Sequence, residues 1–251
     1  MNESMIGKIA VVTGGTRGIG KAICDELLKR GATVIAGYTN QANADKWLDE
    51  KKSQGFAVRV GTMKGNVADY NEMTEALNNI IAQYGHIDIL VNNAGITRDT
   101  TFKKMSAQDW SDVLQTNLGS MFNVTRHVIN HMIENNYGRI VNLSSVNAQK
   151  GQFGQTNYAA TKAGIHGFTK ALAQEVAAKG VTVNTVSPGY IATEMLQAMP
   201  DKVLNQIISQ VPVGRLGKPE EIADLVAFLS EDKAAFITGA DISINGGLHM
   251  H

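Results

Sequence analysis

Seven short segments rich in β-branched residues alternate with longer amphipathic segments, and this alternation constrains the fold more than any other feature of the sequence. The short segments are residues 8–15, 33–38, 58–67, 87–95, 138–145, 181–189 and 241–247. Strands separated by helices pair in parallel, because each crossover returns the chain to the same edge of the sheet. Ile9–Val12 is continuously apolar, as expected for a strand covered on both faces. The pattern predicts a doubly wound α/β fold with a parallel sheet of about seven strands and helices on both faces.

The chain is expected to form a single domain over residues 1–251. No internal repeat, low-complexity tract or linker divides the sequence, and an α/β domain of this length buries a large core. Residues 191–215 lie between two predicted strands and have short helical apolar periodicity. They are predicted to form a lid over the site, although a plain crossover insertion fits their composition equally well.

Composition argues against several classes of partner. The chain has 23 Lys and Arg and 23 Asp and Glu, so no global field attracts nucleic acid or an anionic membrane. No apolar stretch approaches the ~20 residues that span a bilayer, and the N-terminal residues do not resemble a signal peptide. The single cysteine, Cys24, cannot form an intrachain disulfide. We expect a cytoplasmic protein without nucleic-acid or membrane partners.

A glycine-rich turn, TGGTRGIG, follows the first predicted strand and precedes a predicted helix over 21–30. Glycine lets the backbone turn sharply and approach a ligand, and a helix N-terminus offers free N–H groups to a pyrophosphate. Tight packing of the helix on the strand would also select glycine. The position of the turn in a doubly wound sheet favours nucleotide binding. The predicted cofactor contacts in this turn are Gly14, Thr16, Arg17, Gly18, Ile19 and Gly20.

The end of the second predicted strand bears on the choice between NAD and NADP. An acidic residue there binds the ribose hydroxyls of NAD and repels a 2′-phosphate. Here Tyr38 and Thr39, both predicted cofactor contacts, are followed by no carboxylate until Asp45, and Arg17 adds a positive charge nearby. We therefore predict NADPH (NADP+) as the cofactor, although no Arg or Lys lies within 38–43 to complete a clamp on the phosphate.

The ends of the third and fourth predicted strands extend the predicted cofactor site. Asn66 and Val67 are expected near adenine, and Asn93, Ala94 and Gly95 near the nicotinamide ribose. Asn is also a frequent turn residue, so each position is weak evidence by itself.

Three hydrogen-bonding side chains surround a loop rich in Gly and Gln. Tyr158 follows Ser145 by thirteen residues, and Lys162 follows Tyr158 by four. On a helix, Tyr158 and Lys162 share one face, so the ammonium group is expected to lower the phenol pKa toward neutral. Ser145 can hold a carbonyl oxygen in the same pocket. The trio fits carbonyl reduction with Tyr158 as the proton donor, whereas a packed and solvated pair is the commoner origin of an isolated Tyr–Lys spacing.

Taken together, TGGTRGIG, NNAG, Asn117 in QTNL, Ser145, YAATK and SPGYIATEM resemble the short-chain dehydrogenase/reductase family along nearly the whole chain. The resemblance implies a Rossmann-type fold and an NADP-dependent oxidoreductase. The motifs NNAGITRD, SSVNAQKGQFGQTNY, SPGYIAT and NGGLHM are similar to those of acetoacetyl-CoA reductases. That similarity implies reduction of acetoacetyl-CoA to (R)-3-hydroxybutyryl-CoA with NADPH, a step toward polyhydroxybutyrate. NADP-dependent relatives often carry an Arg just after the second strand, and this chain does not.

The resemblance also implies roles for individual residues. Tyr158 would be the proton donor, Lys162 would bind the nicotinamide ribose and lower the Tyr158 pKa, Ser145 would orient the carbonyl, and Asn117 would support a water relay. The cofactor contacts implied beyond the glycine-rich turn include Tyr158, Lys162, Pro188, Gly189, Ile191 and Thr193. The acyl pocket implied by the resemblance comprises Ser145, Gln152, Phe153, Gln155 and Tyr190. Family members are usually tetramers, so a homotetramer is expected.

Two alternatives stay open on the sequence alone, and a metal site is not among them. A 3-oxoacyl-(acyl-carrier-protein) reductase would use the same chemistry, and Arg98, Lys103 and Lys104 could dock an acidic carrier protein. A nucleotide-binding regulator could keep the fold without turnover. His127 and His131 share a helix face, but the sequence offers no Glu or third ligand beside them, so no metal site is predicted.

Overall fold

The computed structural model describes residues 4–197 and 199–250. Within these residues, seven parallel strands form one sheet in the order β3-β2-β1-β4-β5-β6-β7. The strands are β1 (Ile9–Val12), β2 (Thr33–Tyr38), β3 (Val60–Lys64), β4 (Ile89–Asn92), β5 (Gly138–Leu143), β6 (Val181–Pro188) and β7 (Asp241–Ile244). All seven predicted segments contain the observed strands, and the predicted doubly wound parallel sheet is confirmed.

Helices cover both faces of the sheet. They are α1 (Gly18–Lys29), α2 (Gln41–Lys51), α3 (Tyr70–Tyr84), α4 (Ala107–Leu114), α5 (Ser120–Glu134), α6 (Asn147–Lys150), α7 (Thr156–Val176), α8 (Glu194–Gln197), α9 (Asp201–Ile208) and α10 (Pro219–Leu229). Helices α1 and α10 pack on one face and α3 and α5 pack on the other. Among the described residues, no helix has both the length and the apolar character needed to cross a membrane.

The sheet divides the core into two layers. Alternate residues of a strand face opposite sides, so Ala10 and Val12 join the layer under α1 and α10, whereas Ile9 and Val11 join the layer under α3 and α5. Every residue of β1, β4, β5 and β6 is buried. Burial on both faces explains why β1 and most of β4 are apolar runs rather than alternating patterns.

A buried polar ladder fixes α7 on the sheet. The Asn92 Nδ2 atom donates to Asn142 Oδ1 at 2.9 Å, and Asn142 Nδ2 donates to Thr169 Oγ1 at 2.9 Å. The Thr185 hydroxyl then donates to Thr169 Oγ1 at 2.8 Å. Buried polar groups that are satisfied in this way hold their elements in one arrangement, so the register of α7 on β4, β5 and β6 is fixed.

The strand order reverses between β1 and β4, and this reversal opens a crevice at the carboxyl ends of the strands. The glycine-rich turn follows β1 and the NNAG segment closes β4, so both border that crevice. The predicted lid segment, 191–215, contains α8 and α9 and begins with a bridge between Ile191 and Gly217. Its closing over the site stays a prediction.

Candidate active site

Three of the four glycines in the glycine-rich turn, Gly14, Gly18 and Gly20, meet two different requirements. Gly14 and Gly18 have positive φ angles of 63° and 54°, a conformation that side chains disfavour. Gly20 lies in α1, where an added Cβ would lie 2.2 Å from the Gly14 carbonyl oxygen and 2.6 Å from Asn93 Nδ2. Close packing of α1 against the turn and the Asn93 side chain therefore accounts for Gly20, whereas backbone conformation accounts for Gly14 and Gly18.

Thr13 and Asn93 hold this turn against the end of β4. The Thr13 Oγ1 atom accepts hydrogen bonds from the backbone N–H groups of Asn93 and Ala94, both at 3.0 Å. The Asn93 side-chain amide donates to the carbonyl oxygens of Thr13 and Gly14 at 2.9 and 3.2 Å. The Asn93 side chain therefore fixes the backbone of the glycine-rich turn. The sequence analysis missed Thr13, for which the only signal was its place between β1 and the first glycine.

The N-terminus of α1 opens toward the crevice without a side-chain cap. Its uncapped N–H groups and the positive end of the helix dipole suit a pyrophosphate. Arg17 is exposed at the start of the helix, and Thr193 lies next to the turn, since a Cβ on Gly18 would be 3.8 Å from its methyl group. With the space that the glycines leave open, these residues fit a dinucleotide.

The end of β2 borders the same crevice. The Tyr38 hydroxyl donates to Gln41 Oε1 at 2.9 Å, and the Asn40 side chain caps α2 by accepting from the Asn43 N–H group. Thr39 and Asn40 are exposed. At the end of β3, Asn66 Oδ1 accepts from the Ala68 N–H group, and the Asn66 N–H donates to Glu72. Val67 is buried.

Ser145, Tyr158 and Lys162 are arranged by β5 and α7. Ser145 follows the end of β5, and its Oγ atom accepts a hydrogen bond from the Asn147 N–H group at 3.1 Å. Tyr158 and Lys162 lie one turn apart on α7, as predicted, with the Lys162 Nζ atom 5.6 Å from the phenol ring centroid. Nζ donates to the Leu143 carbonyl oxygen at 2.7 Å. The chain therefore places all three side chains at the carboxyl end of β5.

The pKa values of this pair differ from the sequence expectation. Burial raises the pKa of Tyr158 above its usual value, a hydrogen bond with Ser145 opposes that rise, and the Asp99 charge adds to it. Burial also lowers the pKa of Lys162 to about 8. The sequence analysis expected a lowered Tyr158 pKa, and this expectation is wrong, because the protein groups around Tyr158 raise it. The reason is desolvation, which disfavours both the phenolate and the ammonium ion.

Asn117 lies in a π-helical turn, Gln115–Gly119, between α4 and α5, and its side chain is buried. Its Oδ1 atom accepts from the Ile96 N–H group at 2.8 Å, and its Nδ2 atom donates to the Ile96 carbonyl at 2.9 Å. A Cβ on Gly95 would lie 3.2 Å from Asn117 Oδ1 and 3.6 Å from Lys162 Nζ. Asn117 thus holds the segment after β4 beside Lys162, and its role in a water relay stays a prediction.

In the loop before Tyr158, hydrogen bonds hold Gln155, whereas Phe153 is exposed. Gln155 accepts from Asn147 Nδ2 at 2.9 Å and donates to Asp99 Oδ2 at 2.7 Å. Gln152 accepts from Lys150 Nζ at 2.7 Å, and 87% of Phe153 is exposed. Asn147 and Asp99 were missed by the sequence analysis, although both lie in motifs that it quoted. Gln155 is linked through Asn147 to Ser145, and Phe153 is free to contact a ligand.

The segment after β6 borders the crevice from the side of β7. The Pro188 carbonyl accepts from the Val146 N–H group at 2.8 Å, which places it beside Ser145. A Cβ on Gly189 would lie 2.8 Å from the Asn245 backbone, so only glycine fits there. Tyr190 and Ile191 line a cavity of about 170 Å³ with Val211 and Arg215.

His127 on α5 contacts residues of α3. Its Nε2 atom is 3.0 Å from the Thr74 hydroxyl, and its ring packs on Tyr70. In the part of the chain that the structure describes, no group of three or more His, Cys, Asp or Glu side chains could hold a metal ion.

Comparisons with known proteins agree with this geometry. Residues 14–249 match a family profile described as enoyl-(acyl carrier protein) reductase. The acetoacetyl-CoA reductase of Cupriavidus necator is 56% identical over 247 residues, which cover 98% of this chain and 100% of that protein. The chain belongs to the short-chain dehydrogenase/reductase family.

The names of other relatives in this family refer to two related substrates. The acetoacetyl-CoA reductase of Allochromatium vinosum is 52% identical, over 97% of this chain and 99% of that protein. The 3-oxoacyl-(acyl-carrier-protein) reductase of Vibrio cholerae is 46% identical, over 97% of this chain and 98% of that protein. Family membership makes this chain an oxidoreductase with a nicotinamide cofactor, in agreement with the crevice at β1 and β4.

Proposed function

We propose that this short-chain reductase converts acetoacetyl-CoA to (R)-3-hydroxybutyryl-CoA with NADPH, a step toward polyhydroxybutyrate. The observation that carries the proposal is the joint placement of Ser145, Tyr158 and Lys162 at the crevice, in a chain that is 56% identical to an acetoacetyl-CoA reductase over nearly its full length. The stereochemistry of the product rests on that similarity.

Tyr158 is the proton donor in the proposed reaction. Its raised pKa keeps the phenol protonated at neutral pH, which is the form that can act as an acid. When bound, a nicotinamide would supply the hydride for the C3 carbonyl carbon. Tyr158 gives its proton to the carbonyl oxygen, so the ketone becomes a hydroxyl group and the phenol becomes a phenolate. Ser145 and the nearby Lys162 ammonium stabilise that phenolate.

Ser145 orients the substrate carbonyl. Because Ser145 Oγ accepts from the Asn147 N–H group, its own proton is available to a carbonyl oxygen or to Tyr158. Gln155, held by Asn147 and Asp99, and the exposed Phe153 border the space next to this hydroxyl. Together with Gln152 and Tyr190, they form the proposed acyl pocket.

NADPH preference is proposed from the end of β2. Residues 37–44 contain no carboxylate, Asn40 caps the N-terminus of the eleven-residue helix α2, and Arg17 is exposed. A helix N-terminus and a guanidinium both attract a 2′-phosphate. The kcat/KM ratio for NADPH over NADH measures this preference, which we expect to fall in Arg17→Gln. Equal kcat/KM values in the wild-type protein would contradict the assignment.

Proton donation by Tyr158 is tested with Tyr158→Phe. We expect kcat to fall by on the order of 1,000-fold, because the acid is removed, while the NADPH dissociation constant changes less than about twofold. Fluorescence titration measures that constant. Turnover in the variant near the wild-type rate would assign the acid to another group. NADPH binding without turnover of any 3-oxoacyl thioester in the wild-type protein would instead support a regulator.

A carrier-bound substrate is the second candidate. Arg98, Lys103 and Lys104 are exposed beside the proposed acyl pocket, and an acidic carrier protein docks on such groups. Comparison of kcat/KM for acetoacetyl-CoA and for the same acyl group on a carrier protein separates the two. A carrier preference that Lys103→Glu/Lys104→Glu abolishes would assign the protein to fatty-acid synthesis.

We also propose a homotetramer in the cytoplasm. The exposed rings of Tyr70 on α3 and Phe122 on α5 stack with centroids 5.9 Å apart, and such exposed aromatic surface suits contact with a second copy. The buried free thiol of Cys24 is compatible with a reducing compartment. Light scattering that gives the mass of one chain would contradict the tetramer.

A further inference from the structure

A polar cluster behind the catalytic trio is not used by the proposed mechanism. It contains Ser144 after β5, His166 on α7, Ser187 on β6 and Asp241 on β7. Ser144 and Ser187 are buried, and 17% of each of the His166 and Asp241 side chains is exposed. The cluster adjoins Ser145 in sequence and lies one helical turn beyond Lys162.

The hydrogen bonds of the cluster assign its protons. The Ser144 hydroxyl donates its only proton to the Lys162 carbonyl oxygen at 2.8 Å. His166 Nε2 lies 2.9 Å from Ser144 Oγ, so the proton between them must come from Nε2. Ser187 donates to Asp241 Oδ1 at 2.6 Å, and Asp241 Oδ2 lies 3.4 Å from His166 Nε2. His166 therefore donates toward Ser144, with Asp241 beside the same nitrogen.

A second contact ties the segment after Ser145 to the same carboxylate. Gln149 on α6 donates from Nε2 to Asp241 Oδ2 and to Ser243 Oγ, both at 2.8 Å. Ser145 therefore follows Ser144, a member of the cluster, and precedes α6, whose Gln149 is bonded to the cluster through Asp241. Burial lowers the His166 pKa, and the positive charge of Lys170 on the same helix lowers it further, whereas the Asp241 carboxylate raises it. The net shift is downward, so His166 is neutral at pH 7.

We propose that His166 is a positioning residue for the ketone reduction: through Ser144 and Asp241 it sets the position of Ser145 relative to Lys162 and Tyr158. The hydrogen bonds described for the cluster do not reach the glycine-rich turn. A small displacement of Ser145 weakens contacts that matter most in the transition state, so kcat depends on the cluster more than substrate binding does. The inference rests on the proposed function, because it assumes that Ser145 orients the substrate carbonyl.

Three His166 variants separate positioning from simple packing. His166→Leu fills the space but cannot donate, and we expect kcat to fall about tenfold with KM changed less than about twofold. His166→Gln places an amide donor near the Nε2 position and should restore most of kcat. His166→Asn ends one atom short of that position and should not. Glu175→Gln, exposed on the same helix and outside the cluster, is the matched control and should behave as the wild type.

The pathway through Ser144 is tested with Ser144→Ala. If the two residues act as a unit, the double variant His166→Leu/Ser144→Ala should have a kcat close to that of the poorer single variant. Additive losses would overturn the inference, as would a wild-type kcat in His166→Leu, or equal kcat values in the Gln and Asn variants. Should His166→Leu fail to fold, the Gln and Asn comparison and Ser144→Ala still decide the question.

The substrate used keeps this test separate from the proposed function. Wild-type protein is first assayed with acetoacetyl-CoA and with a carrier-bound 3-oxoacyl thioester, and the variants are then compared on whichever it reduces faster. Wild-type inactivity toward acetoacetyl-CoA alone would overturn the proposed substrate but not the role of His166. Thermal unfolding and NADPH titration of each variant confirm that a loss of kcat is not a loss of folded or cofactor-bound protein.

Discussion

The two sides of the crevice are built by different means. On the side of β1 and β2, the shape comes from the backbone: glycines occupy positive φ angles or leave room for a neighbouring carbonyl. On the side of β5 and β6, the shape comes from side chains such as Asn117, Ser144 and Lys162, which bind the backbone of other segments. The first side is sensitive to added atoms and the second to lost hydrogen bonds.

The largest effect is expected from an added methyl group on the first side. In Gly20→Ala the new Cβ would lie 2.2 Å from the Gly14 carbonyl oxygen. Relief of this clash requires the backbone of either α1 or the glycine-rich turn to move. We expect the NADPH dissociation constant to rise by on the order of 100-fold, since overpacking of this kind costs roughly 1–3 kcal/mol. Fluorescence titration measures it. An unchanged dissociation constant would mean that the turn adapts to the added methyl group. It would contradict the claim that the first side is sensitive to added atoms.

On the second side, removal of a charge should stabilise the fold while it stops catalysis. Burial depresses the Lys162 pKa from 10.5 to about 8, which at pH 7 costs about 3 kcal/mol of stability at ~1.4 kcal/mol per pKa unit. Lys162→Met removes this cost and also loses the bond to Leu143, worth about 1 kcal/mol. We expect the variant to be about 2 kcal/mol more stable at pH 7.

The sign of this effect can be followed with pH. Between pH 8 and 10.5 the folded protein has released the Lys162 proton while the unfolded chain still holds it, so the unfolded state binds more protons. Wild-type stability therefore rises across this window relative to Lys162→Met. Denaturant unfolding of both proteins at pH 7 and pH 10 measures the difference. A gap between them that does not change with pH would show that the ammonium group carries no burial penalty.

A smaller loss of stability is expected at Thr13, which joins the glycine-rich turn to the end of β4. Thr13→Val keeps the side-chain shape and removes the Oγ1 acceptor that two backbone N–H groups share. Unpaired donors at this partly buried position should cost about 1.5 kcal/mol of unfolding free energy. Thr13→Ser, which keeps the hydroxyl, is the matched control. Chemical denaturation of both variants gives the values, and an equal loss in the two would assign the effect to packing.

The smallest effect is expected from the glycine that has open space around it. Gly18→Ala places a methyl group no closer than 3.8 Å to any neighbour, but it does so at a φ of 54°. The cost is therefore conformational, about 1 kcal/mol. Thermal or denaturant unfolding measures it. A loss as large as that in Gly20→Ala would show that the two glycines have the same requirement.

The sequence predicted the fold well because strands buried on both faces are visible as apolar runs, Ile9–Val12 above all. It also predicted that Tyr158 and Lys162 share one helix face, because that depends only on helical spacing. The direction of the Tyr158 pKa shift was wrong, since desolvation depends on how much protein surrounds the phenol. The partners of Ser144 were out of reach for the same reason: His166 and Asp241 meet it only after β5, β6 and β7 have assembled.

The bonds between Thr13 and the end of β4 have a consequence for synthesis on the ribosome. They join residues that are 80 and 81 positions apart, across the crevice. A nascent chain that has not yet emerged to Asn93 contains the glycine-rich motif but lacks the amide donors that hold its shape. The nucleotide site is therefore a product of late assembly, and cofactor captured during translation would report that β4 has already docked beside β1.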